Sequence, residues 1–466
     1  MSSSTSGLTS HQMAARARRL SIFVGAAAAL AGLMFGLDTG VIAGALPLLS
    51  HDLGTSDRTA EWIVSSLMLA AAFGSFQAGT LAERWGRRGT LLIASVLFLI
   101  GIALCALAPG VEVMIAGRIC LGLGVGLAAF AAPLYIAEIT AQSRRGRMIA
   151  LYQLMITIGI LMAFISDGLL AQGGHWRWMF GVIALPTLMF LGTTLMIPPS
   201  PRWLLMKGRR EEAVLVLREL RGSPEAAKTE ADGIELQLSH EKQAGLALLR
   251  VSPGFRRTFT LGIAIQALQQ FSGINVLMYY APTVLERLHF SASAAVWCTT
   301  ALGVANTLAT IVSVMLIDRW GRRGLLLLST AGAAFAMLAF GTLLWTGDHS
   351  PALTVGLLVL FICAFAVGEG PLPWVLCSEI QPLRGRTFAI SCSTLSNWIA
   401  NWAVSNVLLS SLNLIGAHGV FWCLGAFNAL FFAVTWFFVP ETRGESLEDI
   451  EERVNAGVPL RRLGRT

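Results

Sequence analysis

Long apolar blocks separated by short polar loops run the length of this chain. They fall near residues 20–49, 60–82, 90–109, 112–137, 148–170, 176–197, 257–285, 295–317, 325–346, 352–378, 387–412 and 417–439. A helix crosses the hydrocarbon core of a bilayer with about 20 mainly apolar residues, so each block predicts one crossing. Barrel strands are about ten residues long and alternate in character, which these blocks do not. The expected fold class is an all-α membrane protein of twelve transmembrane helices. The one long polar stretch divides the blocks into two sets of six. The expected organisation is a tail over 1–19, a six-helix bundle over 20–197, a helical linker over 198–255, a second six-helix bundle over 256–439 and a tail over 440–466. Within the linker, Glu211 to Arg221 reads as an amphipathic helix with Ala213, Leu217 and Leu220 on one face.

Composition agrees. Of the 466 residues, 55% are hydrophobic and 13% charged, against roughly 25% charged in soluble domains. The net charge of +7 raises nucleic-acid binding only until the basic residues are placed. Arg16, Arg18 and Arg19 precede the first block. Arg84, Arg87 and Arg88 follow the second, Arg144, Arg145 and Arg147 the fourth, Arg319, Arg322 and Arg323 the eighth, and Arg384 and Arg386 the tenth. Only Arg58, Arg177 and Arg287 fall on the opposite side, and Arg118 lies inside a block. By the positive-inside rule both termini are expected in the cytoplasm, and the charge reports topology, not nucleic acid. No cleavage signal follows a short apolar core, so the first block reads as a span and not a signal peptide. The seven cysteines lie in apolar blocks without a C-x-x-C pair, which is neither a disulfide framework nor a metal site. No metal-ligand cluster, nucleophile elbow or phosphate-binding loop is apparent, so the chain does not read as an enzyme.

The two sets of six repeat each other. Glu83 to Gly89 reads E-R-W-G-R-R-G and Asp318 to Gly324 reads D-R-W-G-R-R-G. Pro133 to Arg147, with Glu138 inside, answers Pro373 to Arg386, with Glu379 inside. Pro199-Ser-Pro-Arg202 answers Pro440-Glu-Thr-Arg443, and the offsets stay within about 235–241 residues. Two parallel halves with a site between them near the midplane is the geometry such a repeat predicts.

Some residues carry chemistry on their own account. Gln266, Gln269 and Gln270 share a helix face by their i, i+3, i+4 spacing. Amides both donate and accept hydrogen bonds, as a polyol requires. Gly273 follows and predicts a break in the seventh span, turning Asn275 toward the same space. Asp38 lies 18 residues from the start of the first block and 11 from its end. A carboxylate at that depth costs on the order of 3 kcal/mol and needs a cavity or a partner. Glu369 lies within the tenth block; it is expected to face a watery outer vestibule, with a second proton-linked role as the alternative. Asp167 is expected to reach interfacial water at the outer end of the fifth block.

The repeated acidic-R-W-G-R-R loops, P-x-S-P-R, P-E-T-R, Gln269-Gln-Phe-Ser-Gly-Ile-Asn275 with Tyr279-Tyr280, Tyr152 to Gly159 and Phe35 to Gly44 resemble the sugar porter family of the major facilitator superfamily over nearly the whole chain. The resemblance implies two parallel-repeat six-helix bundles in the cell inner membrane, importing a hexose of the galactose or glucose type together with a proton by alternating access. A uniporter and a pentose–proton symporter of the same fold remain open. The implied partners are a small sugar and the lipid bilayer, with no nucleic acid, no obligate protein partner and no cofactor besides the co-transported proton. Sugar contacts are implied at Gln153, Gln269, Gln270, Asn275, Asn306, Trp374 and Asn401, and aromatic lining at Phe35, Tyr280 and Trp398. Arg118 is the implied partner of Asp38; their separation and reunion would alternate proton uptake and release. Glu83, Arg87, Arg88, Glu138, Arg147, Asp318, Arg322, Arg323, Glu379 and Arg386 are expected to form cytoplasmic ion pairs that make and break as that end closes and opens.

Overall fold

A computed structural model describes residues 10–140, 142–240, 245–347, 350–382 and 385–464. The first half contains α1 (Ser10–Asp52), α2 (Asp57–Ala106), α3 (Val111–Ile139), α4 (Gln142–Ala171), α5 (Trp176–Val182) and α6 (Ala184–Met196). Four short helices join the halves: α7 (Pro201–Met206), α8 (Arg210–Arg221), α9 (Pro224–His240) and α10 (Gly245–Val251). The second half contains α11 (Pro253–Phe271), α12 (Ile274–Arg287), α13 (Ala292–Trp320), α14 (Arg322–Trp345), α15 (Pro351–Ala364), α16 (Leu372–Glu379), α17 (Arg386–Ser405) and α18 (Leu408–Phe438), followed by a short α19 (Leu447–Asn455). No strand occurs among the described residues.

Ten stretches are long and apolar enough to cross a membrane. One of them, α2, has 50 residues and would be roughly 75 Å long if straight, more than twice a hydrocarbon core of about 30 Å. It folds back at Gly86, where φ is 80° and ψ 167°, and so supplies two crossings. The remaining crossing is α17, whose polar stripe lowers its hydropathy. Ser393, Asn397, Asn401 and Ser405 recur every fourth residue along it, all buried. The count is twelve, six on each side of the linker. Three predicted spans are interrupted inside: α5 and α6 meet at Ile183, α11 and α12 at Gly273, and a π-helical turn over Phe365–Glu369 separates α15 from α16. The predicted block 387–412 stops at Ser405, and Leu408 already belongs to α18, which kinks at Gly416.

In a bilayer, close backbone approach replaces hydrophobic burial as the force between helices. Gly32, Gly36, Gly40 and Gly44 form a stripe on α1, and α4 lies directly on it. A β-carbon at Gly36 would come 2.0 Å from the Ile156 carbonyl oxygen, and one at Gly40 2.6 Å from Ala163. This contact fixes Asp38 of α1 and Gln153 of α4 in one rigid pair. In the linker, α8 buries Ala213, Leu217 and Leu220, the face its sequence predicts.

The arginine-rich turns are built alike in the two halves. Gly321, like Gly86, holds a backbone conformation open almost only to glycine, with φ 83° and ψ 169°. A β-carbon there would meet the Glu441 carboxylate at 2.4 Å. Gly321→Ala is expected to destabilise the protein by about 1–3 kcal/mol, read as a lower melting temperature in detergent. Gly324→Ala, at a helical position with open space, is expected to leave it unchanged.

Candidate functional site

The break at Gly273, where φ is 95°, ends α11 just after its amide face. Asn397 of α17 reaches into that face. Its Nδ2 donates to Gln266 Oε1 at 2.6 Å and to Gln269 Oε1 at 2.8 Å, and its Oδ1 accepts from Gln270 Nε2 at 3.1 Å. Asn275 Nδ2 donates to Gln270 Oε1 at 2.5 Å. Gln269 spends its Nε2 on the carbonyls of Glu369 at 2.6 Å and Gly370 at 2.9 Å. Pro373 has no N–H to give the Glu369 carbonyl four residues earlier, so the glutamine supplies the missing donor. Five amides from α11, α12 and α17 thus form one buried network that also holds the broken tenth span together. Asn397 and Gln266 were absent from the resemblance-implied site. The four-residue polar spacing on α17 is the sequence signal that marks Asn397.

On the other half, Arg118 Nη1 donates to Asp38 Oδ1 at 3.0 Å, with side chains 0% and 3% exposed. Arg118 Nε donates to the Ile63 carbonyl at 3.3 Å. The pair is single-pronged: Asp38 Oδ2 and Arg118 Nη2 are buried without a hydrogen-bond partner among the described residues. A bidentate pair would be harder to separate. Tyr279 of α12 lies between the two centres without bonding to either. Its hydroxyl lies beside Thr39, the neighbour of Asp38, and receives Asn401 Nδ2 at 3.5 Å.

The aromatic residues divide. Phe35 of α1 and Trp398 of α17 meet across the halves with ring centroids 5.6 Å apart, and Tyr280 donates to the Ser405 carbonyl at 3.0 Å. Gln153 and Asn306 sit on α4 and α13, which touch where Thr307 donates to the Thr157 carbonyl at 3.3 Å. Trp374 on α16 is 40% exposed. The side chains of Gln153, Asn306 and Trp374 make no hydrogen bond among the described residues.

At the arginine-rich end, the observed ion pairs join helices of one half. Arg87 holds Glu138 at 2.7 Å and Arg322 holds Glu379 at 3.1 Å. Ser200 donates to Glu138 and Thr442 to Glu379, so the P-x-S-P-R and P-E-T-R motifs close matching nodes. Arg88 caps the carbonyls of Thr194 and Leu195, and Arg323 that of Trp436. The Glu83 carboxylate makes no ion pair among the described residues; its carbonyl accepts from Trp203. Arg386 lies at the first turn of α17. The side chains of Arg147 and Asp318 lie outside those described.

The opposite end carries contacts between the halves that the sequence reading missed. Glu61 of α2, fully buried, accepts from the backbone N–H of Ser410 at 2.7 Å and from its hydroxyl at 2.8 Å. It caps the start of α18, where a carboxylate is favoured. Arg58 donates to the Asn406 carbonyl at 2.7 Å, and Ser65 to Asn406 Oδ1 at 3.1 Å. Asp57 accepts from Arg287 at 2.9 Å and Asn413 at 2.8 Å. Two expectations near the spans' interior fail. Asp167 is fully buried, not at interfacial water: Oδ2 accepts the Gly44 N–H at 3.2 Å because the glycine stripe brings α4 too close for solvent. Glu369 is fully buried, not facing a vestibule, because the π-helical turn rotates it into the space between α11 and α14.

Twelve crossings in two matched sets of six, with an amide cluster and a buried ion pair at their junction, define a carrier of the major facilitator type. The profile "Sugar (and other) transporter" matches residues 24–454, and the chain belongs to that family of multi-pass membrane proteins. It is 46% identical over 451 residues to the galactose-proton symporter of Escherichia coli K12, covering 96% of this chain and 97% of that one. It is 42% identical over 454 residues to the arabinose-proton symporter of the same strain, with 96% of each covered. A xylose transporter of E. coli, solved in a partially occluded inward-open conformation, superimposes with a TM-score of 0.81 at 29% identity, over 92% of this chain and 100% of the other.

The contact of Glu61 with the start of α18 is open to a direct test. Ser65→Cys in a cysteine-free background should react slowly with a water-soluble maleimide, and adding Glu61→Ala should speed labelling severalfold. Equal rates would remove Glu61 from the closure.

Proposed function

We propose that this chain imports a hexose of the galactose or glucose type together with a proton. The observation that carries the reading is the single-pronged Asp38–Arg118 pair, with Tyr279 reaching from beside Thr39 to Asn401, one helical turn along α17 from Asn397 of the amide cluster. Burial penalises the charged acid while the guanidinium rewards it, so a small displacement of Arg118 decides whether Asp38 keeps a proton. Tyr279 gives sugar at the amides a way to bias that displacement. The relatives that couple galactose or arabinose to protons support the coupling.

The amides of Gln269, Gln270, Asn275 and Asn401, together with those of Gln153 on α4 and Asn306 on α13, bind the hydroxyls. Trp374, Trp398, Phe35 and Tyr280 offer the apolar faces a sugar ring needs. The arginine-rich end and both termini face the cytoplasm of a cell whose inner membrane holds the protein. The Asp57–Arg58–Glu61 latch closes the outer end. The nodes at Glu138 and Glu379, with Glu83, Arg147, Asp318 and Arg386 nearby, act when the cytoplasmic end closes in turn. The six-helix groups over 20–197 and 256–439 move against each other about the site, joined by the 198–255 linker.

Asp38→Asn should abolish uphill sugar accumulation while exchange of sugar across the membrane persists; full accumulation by this variant would defeat the coupling. Gln270→Ala should weaken sugar affinity by roughly 1–3 kcal/mol, about 5- to 150-fold, in a binding assay on purified protein. Competition of labelled galactose uptake by glucose, xylose and arabinose separates the hexose from the pentose reading.

A further inference from the structure

The tenth span contains an acid that the Asp38–Arg118 chemistry does not use. Glu369 closes the π-helical turn Phe365–Glu369, where the Gly370 N–H reaches back five residues to the Phe365 carbonyl at 2.9 Å. Its backbone is fully engaged: the N–H donates to Ser329 Oγ at 2.8 Å, and the carbonyl receives Gln269 Nε2. Its side chain is not. The residue is 0% exposed, and both carboxyl oxygens lack a hydrogen-bond partner among the described residues.

The groups packed around it are neutral. Ser272, just past α11, lies beside the carboxyl, with its own hydroxyl donated to the Gln269 carbonyl. From α14 comes Ser329, which donates to the Ala364 carbonyl. From α13 comes Ser313, which donates to the Val367 carbonyl. Among the described residues no Lys, Arg or His pairs with Glu369. Asp38, by contrast, has an arginine. A lone carboxylate in such a place takes up a proton sooner than it stays charged.

We infer that Glu369 is a second proton-carrying group of the transport cycle, in the half opposite Asp38, protonated while the break in the tenth span is covered and deprotonated when that break opens to water. The inference rests on the symport reading above. The link to sugar is Gln269, whose amide holds the Glu369 carbonyl on one side and Asn397 on the other. Sugar that draws Gln269 into its own hydrogen bonds withdraws the donor that keeps the broken helix closed. As the loaded site turns inward, cytoplasmic water reaches the carboxyl and the proton leaves to it with the sugar. Once the empty site faces outward, the carboxyl takes a proton from the outer water before Gln269 covers the carbonyl again.

The test uses the full chain reconstituted in lipid vesicles. Infrared spectra on acid titration should show the carbonyl stretch of buried protonated carboxyls in wild type and in Asp38→Asn, and lose the Glu369 component in Glu369→Gln while that of the buried Asp167 stays. The glutamine keeps the shape of the protonated acid, and sugar binding by the purified variant verifies that it folds. Protons moved per sugar should fall by one in Glu369→Gln and be restored in Glu369→Asp. An unchanged carboxyl band and proton count in Glu369→Gln would overturn the inference. A wild type that moves sugar without protons would instead overturn the symport reading, and the infrared comparison would still decide the state of Glu369.

Discussion

Backbone that leaves its helix inside a membrane has no water to bond, and this constraint explains why the centre of the protein looks as it does. Pro373 interrupts the tenth span and frees the carbonyl of Glu369. Gln269 satisfies it, and the adjoining Gly370 carbonyl, from a neighbouring helix. The same glutamine is held by Asn397, which also gathers Gln266 and Gln270. The amide cluster is therefore a structural repair at the same place as the proposed sugar site. A change that bends the tenth span must pass through these amides.

The two ends of the molecule follow different rules. At the arginine-rich end, each half repeats the same node of an arginine, a glutamate and a hydroxyl, closed by a glycine turn. Duplication preserved it because the node is internal to one half. At the opposite end, Glu61, Asp57 and Arg58 bind groups of the other half that have no counterpart by symmetry. Internal joints survive duplication; a joint between copies has to be made anew.

Most of the fold is legible in the apolar blocks, because length and uniform hydropathy are what a bilayer demands. The errors fall where the blocks carry local exceptions. Residue 412 was assigned to the eleventh span because Asn406 and Val407 are too short a break to disturb hydropathy. Gln269, Gln270 and Asn275 were readable because three amides and a glycine stand close together in sequence. Asn397 was not, since its partners lie on another helix and its own helix shows only a spacing of four. Arg58 and Arg287 were visible as exceptions to the charge asymmetry, but nothing along the chain pairs them with Asn406 and Asp57. Asp167 and Glu369 were misplaced because depth along a helix is legible and the direction of a side chain around it is not.

The proposed use of the amide cluster as the sugar site has a consequence for how firmly cargo would be held. Gln266, Gln269, Gln270, Asn275 and Asn397 bond to one another. An arriving hydroxyl exchanges these bonds for its own and gains only the difference, which for neutral groups is small. Selectivity then comes from whether a given stereoisomer can match every exchange, while residence stays brief. A receptor would be poorly served by such a pocket; a shuttle that must let go on the far side is well served.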